Sequence, residues 1–276
     1  MVHKKVSPGK IALYTVTIFL ALLWVVSLIW MILVSFKPSG SGVLSVRSWF
    51  SPPFSIDNYY YVLEHAPVIL WIWNSVFVAT VTTICVLLIC SMAAFAFSQG
   101  RFPGYRIIFW IIMAGLMVPG EAILVPLYIL FRDLGLLDSY EALIFPSIAV
   151  PFGMILLKQF FDGLPKELYE AAKIDGCGTY RMLFVITLPL SRSALAALGI
   201  FTFLGSWKEF IWPFISITDA VKMTIPIGIP FFNSEYNADY TIPMAANVIV
   251  SVPAVIVFLI FQKQIIKGVS FSGIKG

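Results

Sequence analysis

The sequence predicts an all-α integral membrane protein of six transmembrane helices, with one short amphipathic helix in its longest cytoplasmic loop. Three observations carry that prediction. Only 12% of the 276 residues are charged and 60% are hydrophobic, with a mean hydropathy of +0.94. A soluble domain carries roughly 25% charged and about 45–50% apolar residues, so polar side chains are too few here to cover a water-facing surface. The apolar residues fall in long, nearly charge-free runs rather than alternating ten-residue segments, which selects helices over a closed barrel. Finally, the basic residues are strongly sided, as membrane topology requires.

The elements follow in order. Lys4, Lys5 and Lys10 precede an uncharged run from Ile11 to Phe36. This run is too long for a signal-peptide core of about 7–15 residues and no A-x-A cleavage site follows, so it reads as an uncleaved first span. A polar segment from Lys37 to about Pro67 contains Trp49, Phe50 and Tyr59–Tyr61, aromatics suited to a membrane interface. The later spans are expected at about 69–97, 107–130, 142–157, 191–214 and 243–261, within one transmembrane domain over 1–276. Pro119-Gly120 interrupts the third, and Pro146 and Pro151 lie in the fourth. Such prolines kink a helix, tolerable in lipid where neighbours line a cavity, and equally compatible with ordinary packing.

Twelve Lys and Arg fall on the side of the termini (Lys4, Lys5, Lys10, Arg101, Arg106, Lys158, Lys166, Lys173, Arg181, Lys263, Lys267, Lys275). Four fall in the opposite loops (Lys37, Arg47, Arg132, Lys222), beside eight acids that include Asp138, Asp219, Glu235 and Asp239. The bias puts both termini in the cytoplasm, as an even span count demands. The net charge of +4 is thus topology and not a nucleic-acid footprint. Cys85, Cys90 and Cys177 show neither metal spacing nor a disulfide framework and read as packing residues.

The loop after the fourth span holds the short helix, expected at about 165–176. Pro165 suits a first turn, Glu167 complements the positive end of the helix dipole, and Gly176 is a natural stop. Ten residues give roughly 15 Å, far too little to cross a bilayer. Leu168, Ala171 and Ala172 form an apolar stripe flanked by Ile174. The small alanines allow a close approach by another surface, and Glu170 offers one charge. An interfacial helix on the headgroups is the plainer alternative, but those are usually basic on the polar face, whereas here Glu167, Glu170 and Asp175 mix with Lys166 and Lys173.

Glu170-Ala171-Ala172, three residues, Gly176, nine residues, Ile186, one residue and Leu188-Pro189 resemble the EAA loop of ATP-binding-cassette importer permeases. The likeness extends through FSIDNYYYVL, AAFAFSQGRFPG, MVPGEAILVPLYILFRDLGLLDS, ELYEAAKIDG, SWKEFIWPF and SGIKG to the carbohydrate, maltose-permease type. Of the two permeases such systems pair, the chain is similar to the shorter, MalG-like one. The resemblance implies a MetI/MalG-like permease fold with a cytoplasmic coupling helix. It also implies a MalF-like partner permease, two copies of an ATP-binding subunit holding ATP and Mg, and an extracytoplasmic solute-binding protein. ATP-driven closure of the subunits would move the helix as a lever. Glu170, Ala171, Ala172, Asp175, Gly176, Leu188 and Pro189 would form the coupling site. Cys177 stands where the family usually has Ala, a small and fairly apolar exchange.

No G-x-x-x-x-G-K-[ST] loop is present, so the energy source is expected in trans, with no cofactor on this chain. Ionisable groups within spans are functional candidates by default. Glu121 lies about fourteen residues, roughly 21 Å, from the cytoplasmic end of its span. Lys208 and Glu209 lie near the outer end of the fifth. Relatives often have Asn where Lys208 stands, and snorkelling to the interface is its alternative role. Trp71, Trp73, Asn74, Trp207 and Trp212 fall toward outer helix ends. Aromatic faces stack on sugar C–H faces while Asn and Glu bond hydroxyls, but an interfacial aromatic belt is the plainer expectation for most of the tryptophans. The substrate-path candidates are therefore Asn74, Glu121, Trp207, Lys208, Glu209 and Trp212. In this family the partner permease often carries most solute contacts, and the loop Phe231 to Tyr240 aligns with one that in some relatives reaches the binding protein. A permease of this type for a glycerol phosphate or polyol is the nearest alternative. A secondary transporter would need an inverted repeat, which is not evident, and an enzyme a catalytic constellation, which His3 and His65 do not make.

Overall fold

Charge-free apolar runs become the long helices Pro8–Ser35, Val68–Gln99 and Thr241–Phe271. The computed structural model describes residues 8–43, 45–100, 102–232 and 239–271. His3, Lys4, Lys5, Arg101, Glu235, Lys275, the SGIKG end and most of the Phe231–Tyr240 loop lie outside the described residues. Everything described is helix, turn or loop. Three helices are individually long and apolar enough to cross a membrane, and six spans result if each of three bent pairs counts as one.

The bends depart from the expected continuous spans. Residues 107–130 fold as Tyr105–Gly115 and Gly120–Asp133, meeting at 94°. Pro119 disfavours helical backbone at Val118, which ends the first helix ahead of it. Residues 142–157 fold as Tyr140–Ser147 and Pro151–Asp162, bent by 45°. The expected fifth span, 191–214, is not one helix: it stops at Trp207 and resumes as Ile211–Ser216. Pro213 has no N–H to give the Glu209 carbonyl and its ring would clash there, which accounts for the break.

Contacts divide the chain into two compact units, Met1–Val68 with Ile229–Val252, and Ile69–Gly228 with Pro253–Gly276. In the first, Asn58 is buried and donates from Nδ2 to the Ser35 and Lys37 carbonyls at 3.0 and 2.6 Å, capping the first long helix. Tyr59 Oη and Ser35 Oγ share a hydrogen bond of 2.6 Å, and Lys37 bonds the Ser51 carbonyl beneath the Phe54 ring. Asp239 accepts from Ser39, Gly40 and Thr241, so it ties the loop after the first helix to the start of the last.

In the second unit a helical stripe at Val86, Cys90, Ala94 and Phe97 meets Met154, Leu157 and Phe161, with Ala194 and Leu198 closing the core. Residues four apart share a helix face. At the opposite end, Trp71 is 2% exposed and donates from Nε1 to the Ala220 carbonyl at 2.8 Å. A Cβ on Gly228 would lie 2.3 Å from its ring, so only glycine permits this approach.

A carboxylate fixes the neighbouring loop. Asp138, at φ 54°, receives bonds from the Thr218 amide and hydroxyl and from the Asp219 amide, while Lys222 Nζ donates to its carbonyl. The Thr218 hydroxyl, with those amides and Lys222, holds its carboxyl below the usual carboxylate range. A lowered folded pKa contributes stability above the unfolded value, lost as pH falls through the folded one. The 216–223 segment should therefore loosen below about pH 4. Asp138→Asn should remove that acid transition in protease protection of the segment, whereas an unchanged acid profile would show that another group controls it.

Candidate functional site

The expected short helix runs Lys166–Ile174. Pro165 precedes it in extended backbone, and Glu167 lies in the first turn and Lys173 in the last, as the dipole favours. Its end is a Schellman motif. The Cys177 amide donates to the Ala172 carbonyl at 2.8 Å and the Gly176 amide to Lys173 at 3.0 Å. Gly176 adopts φ 71°, a left-handed conformation costing other residues roughly 1–2 kcal/mol. Cys177, the residue just beyond, packs on the core cluster, so a small apolar side chain is needed there for a local reason.

The faces of this helix differ from the expected stripe. Tyr169 and Ala172 are the buried pair, and Leu168, Ala171 and Ile174 are exposed, Ile174 by 86%. Tyr169 is large enough to reach the core, which rotates the helix by one position and turns Ala171 outward with Glu170 and Asp175. The two alanines thus have opposite duties, one rooting the helix and one facing out.

Sequence reasoning missed Tyr169 as an anchor. Its ring lies 6.2 Å from that of Phe95, and its Oη shares a 3.3 Å hydrogen bond with Thr187 Oγ1. Burial raises the phenol above its ordinary value, opposed by the Thr187 bond. Thr187 is fully buried and also donates to the Met182 carbonyl at 3.1 Å, five residues back. That span is a π-helical turn, Met182–Thr187, followed by Leu188, Pro189 and an 84° bend into Arg192–Trp207. Pro189 gives no amide hydrogen to the Val185 carbonyl, consistent with widened backbone here. Leu188 packs on the core and Pro189 is exposed at the bend. The short helix is therefore joined to a long one through one side-chain bond and one irregular turn.

The substrate-path candidates do not converge. Asn74 is buried, donates to the Val221 and Met223 carbonyls at 2.8 Å each, and accepts from Tyr140 Oη at 2.9 Å. Trp212 is buried and donates to the Ala142 carbonyl at 2.8 Å. Trp207 is buried and stacked on Phe203. With Trp71, these side chains make contacts that hold the fold. Trp73, at 64% exposed, fits the belt. Lys208 and Glu121 are exposed, Glu121 on the turn between the bent helices.

Glu209 alone of the six lines a cavity of about 340 Å³. Thr82, Ser147, Thr202 and Ser206 supply hydroxyls to the same walls, with Phe152 and Phe201 adding apolar surface. Glu209 Oε1 accepts the Trp212 amide at 3.4 Å. None of the four hydroxyl residues is marked by a sequence motif. The spacing of 202 and 206 on one helix face, with 209 just past the helix end, was the available signal.

Comparison with known proteins completes the description. The family described as "Binding-protein-dependent transport system inner membrane component" matches residues 86–271. Over 278 residues the chain is 36% identical to the arabinooligosaccharides transport system permease protein AraQ of Halalkalibacterium halodurans, spanning 99% of both chains. It is 36% identical over 261 residues to the diacetylchitobiose uptake system permease protein NgcG of Streptomyces coelicolor, 91% of this chain and 85% of the relative. A solved bacterial ABC transporter involved in the import of the acidic polysaccharide alginate shares the fold. Its TM-score is 0.81 at 22% identity, over 94% of this chain and 98% of that one.

Proposed function

The chain belongs to the binding-protein-dependent transport system inner membrane components, and on that premise we propose how it works as the permease of a carbohydrate importer. It pairs with a second, MalF-like permease, and two copies of an ATP-binding subunit dock on the cytoplasmic side. ATP and Mg are bound by those subunits and not by this chain. A solute-binding protein delivers the sugar to the outer face. The protein lies in the cell membrane with both termini cytoplasmic, on the sidedness of its Lys and Arg.

One observation carries the coupling role. The Lys166–Ile174 helix exposes Glu170, Ala171, Ile174 and Asp175 while Tyr169 and Ala172 root it in the core. An exposed face with a small residue and a charge receives the ATP-binding subunit. The buried face and the Thr187 bond pass its displacement to Arg192–Trp207. Gly176 closes the helix, and Leu188-Pro189 forms the bend through which the long helix turns. Alternating access then follows from a rigid lever acting on a helix that lines a polar cavity.

Uptake into proteoliposomes tests this reading. The permease pair with its ATP-binding subunit and binding protein should accumulate sugar only with ATP inside. Solute uptake by this chain alone would favour a secondary transporter and sink the proposal.

A further inference from the structure

Three helix ends meet around a second cavity, of about 390 Å³, which shares no lining residue with the one around Glu209. Val68–Gln99 finishes there, Tyr105–Gly115 starts there, and Lys158 reaches it from Pro151–Asp162. Arg106 and Lys158 line it, and none of its lining residues among those described is Asp or Glu. Lys158 Nζ is held by Asp162 Oδ2 at 2.6 Å and lies 5.9 Å from the Phe109 ring centre, so its position is fixed. Arg106 has no carboxylate partner among the described residues, and its Nε donates to the Tyr105 phenol oxygen at 3.3 Å. The helix dipole adds to the same sign, because Tyr105–Gly115 begins after Gly104 with no side-chain cap and its first turn forms part of the wall. From the cavity this helix continues as an exposed apolar face, with Ile107, Trp110 and Ile111 exposed by 68%, 68% and 65%. Trp110 belongs to both, and an indole at such a boundary suits the level of lipid headgroups.

Resting on the membrane orientation proposed above, we propose that this cavity binds the phosphate headgroup of an anionic phospholipid from the cytoplasmic leaflet. Arg106 presents its remaining N–H groups to the phosphate oxygens as a fork, and Lys158 adds a compact second charge. The acyl chains lie along Ile107, Trp110 and Ile111. A free phosphate would use the cations and leave that apolar face uncovered, whereas one lipid satisfies both. A zwitterionic lipid brings an ammonium that no acid on the walls receives. Basic pockets between helices on the cytoplasmic side are suited to anionic headgroups for these reasons.

The test places the assembled transporter in phosphatidylcholine nanodiscs doped with phosphatidylglycerol that carries a diazirine near the top of one acyl chain. After photolysis, peptide mapping should find the label concentrated on residues 105–111. Unlabelled phosphatidylglycerol should displace it about tenfold better than phosphatidylcholine does, and inorganic phosphate should not displace it. Label on residues 20–24 of the exposed first helix reports bulk lipid and should show no headgroup preference. Arg106→Gln should lower the label at 105–111 about fivefold with the thermal midpoint unchanged, and Arg106→Lys should recover part of it. Equal displacement by phosphatidylcholine, displacement by inorganic phosphate, labelling of 105–111 no stronger than of 20–24, or full labelling of Arg106→Gln would overturn the proposal. Nanodiscs open both faces, so none of these outcomes depends on orientation. An impermeant maleimide on Lys166→Cys should react from the cytoplasmic side of inverted vesicles, and its failure there would overturn the orientation reading alone.

Discussion

Glu170→Lys should cut ATP-driven uptake to background while leaving membrane insertion and the thermal midpoint unchanged. Glu170 is exposed on the outward face of the Lys166–Ile174 helix and belongs to neither buried anchor, so the fold has no stake in its charge. In the proposed complex it meets a basic residue of the ATP-binding subunit, desolvated on docking. Losing one partner of such a pair costs about 2–5 kcal/mol, and each 1.4 kcal/mol is about tenfold. Reversal of charge should therefore weaken docking about a hundredfold or more, measured by co-purification of the ATP-binding subunit. Glu170→Gln should fall between. Normal uptake with the lysine variant would remove Glu170 from the coupling site.

The second large effect concerns the contact between Trp71 and Gly228. Trp71→Ala should lower stability by about 3–5 kcal/mol, the range for large-to-small substitution of a buried aromatic. It leaves a cavity over Gly228 and orphans the Ala220 carbonyl. For a chain of this size the unfolding midpoint should drop by about 10 °C. Gly228→Val should do comparable damage from the other side, because its Cβ would enter the Trp71 ring unless the backbone moves. A midpoint within a degree or two of the parent for both variants would refute the account of this contact. Neither change touches the Lys166–Ile174 helix, so in membranes at low temperature residual docking of the ATP-binding subunit should persist.

Much of the fold was legible because lipid imposes one simple rule, that a spanning segment be long, apolar and helical. The runs at 11–36, 69–97 and 243–261 correspond to Pro8–Ser35, Val68–Gln99 and Thr241–Phe271. Proline stands at all three bends, as Pro119, Pro151 and Pro189, but 94° and 84° depend on packing that no local signal specifies. The short helix was legible from Pro165, Glu167 and Gly176, since capping chemistry is local. Its buried face was not. An apolar stripe through Leu168, Ala171 and Ala172 and one through Tyr169 and Ala172 differ by a single position, and only the core decides between them. Asn74 and Trp212 stood out as polar groups near helix ends, but the bonds they make within the fold were not legible. Their partners are carbonyls 147 or more and 70 residues away in sequence, Val221 and Ala142, which a one-dimensional reading has no means to pair.

The central claim is that the outward face of one helix receives the ATP-binding subunit while the opposite face anchors it. A photo-crosslinking amino acid placed in turn at 168, 171 and 174, and as controls at 169 and 172, tests this directly in the assembled transporter. The first three positions should capture the ATP-binding subunit, most strongly at 171 and 174, and the two buried positions should capture only this chain. Capture at 169 or 172, or lipid alone at 171 and 174, would contradict it.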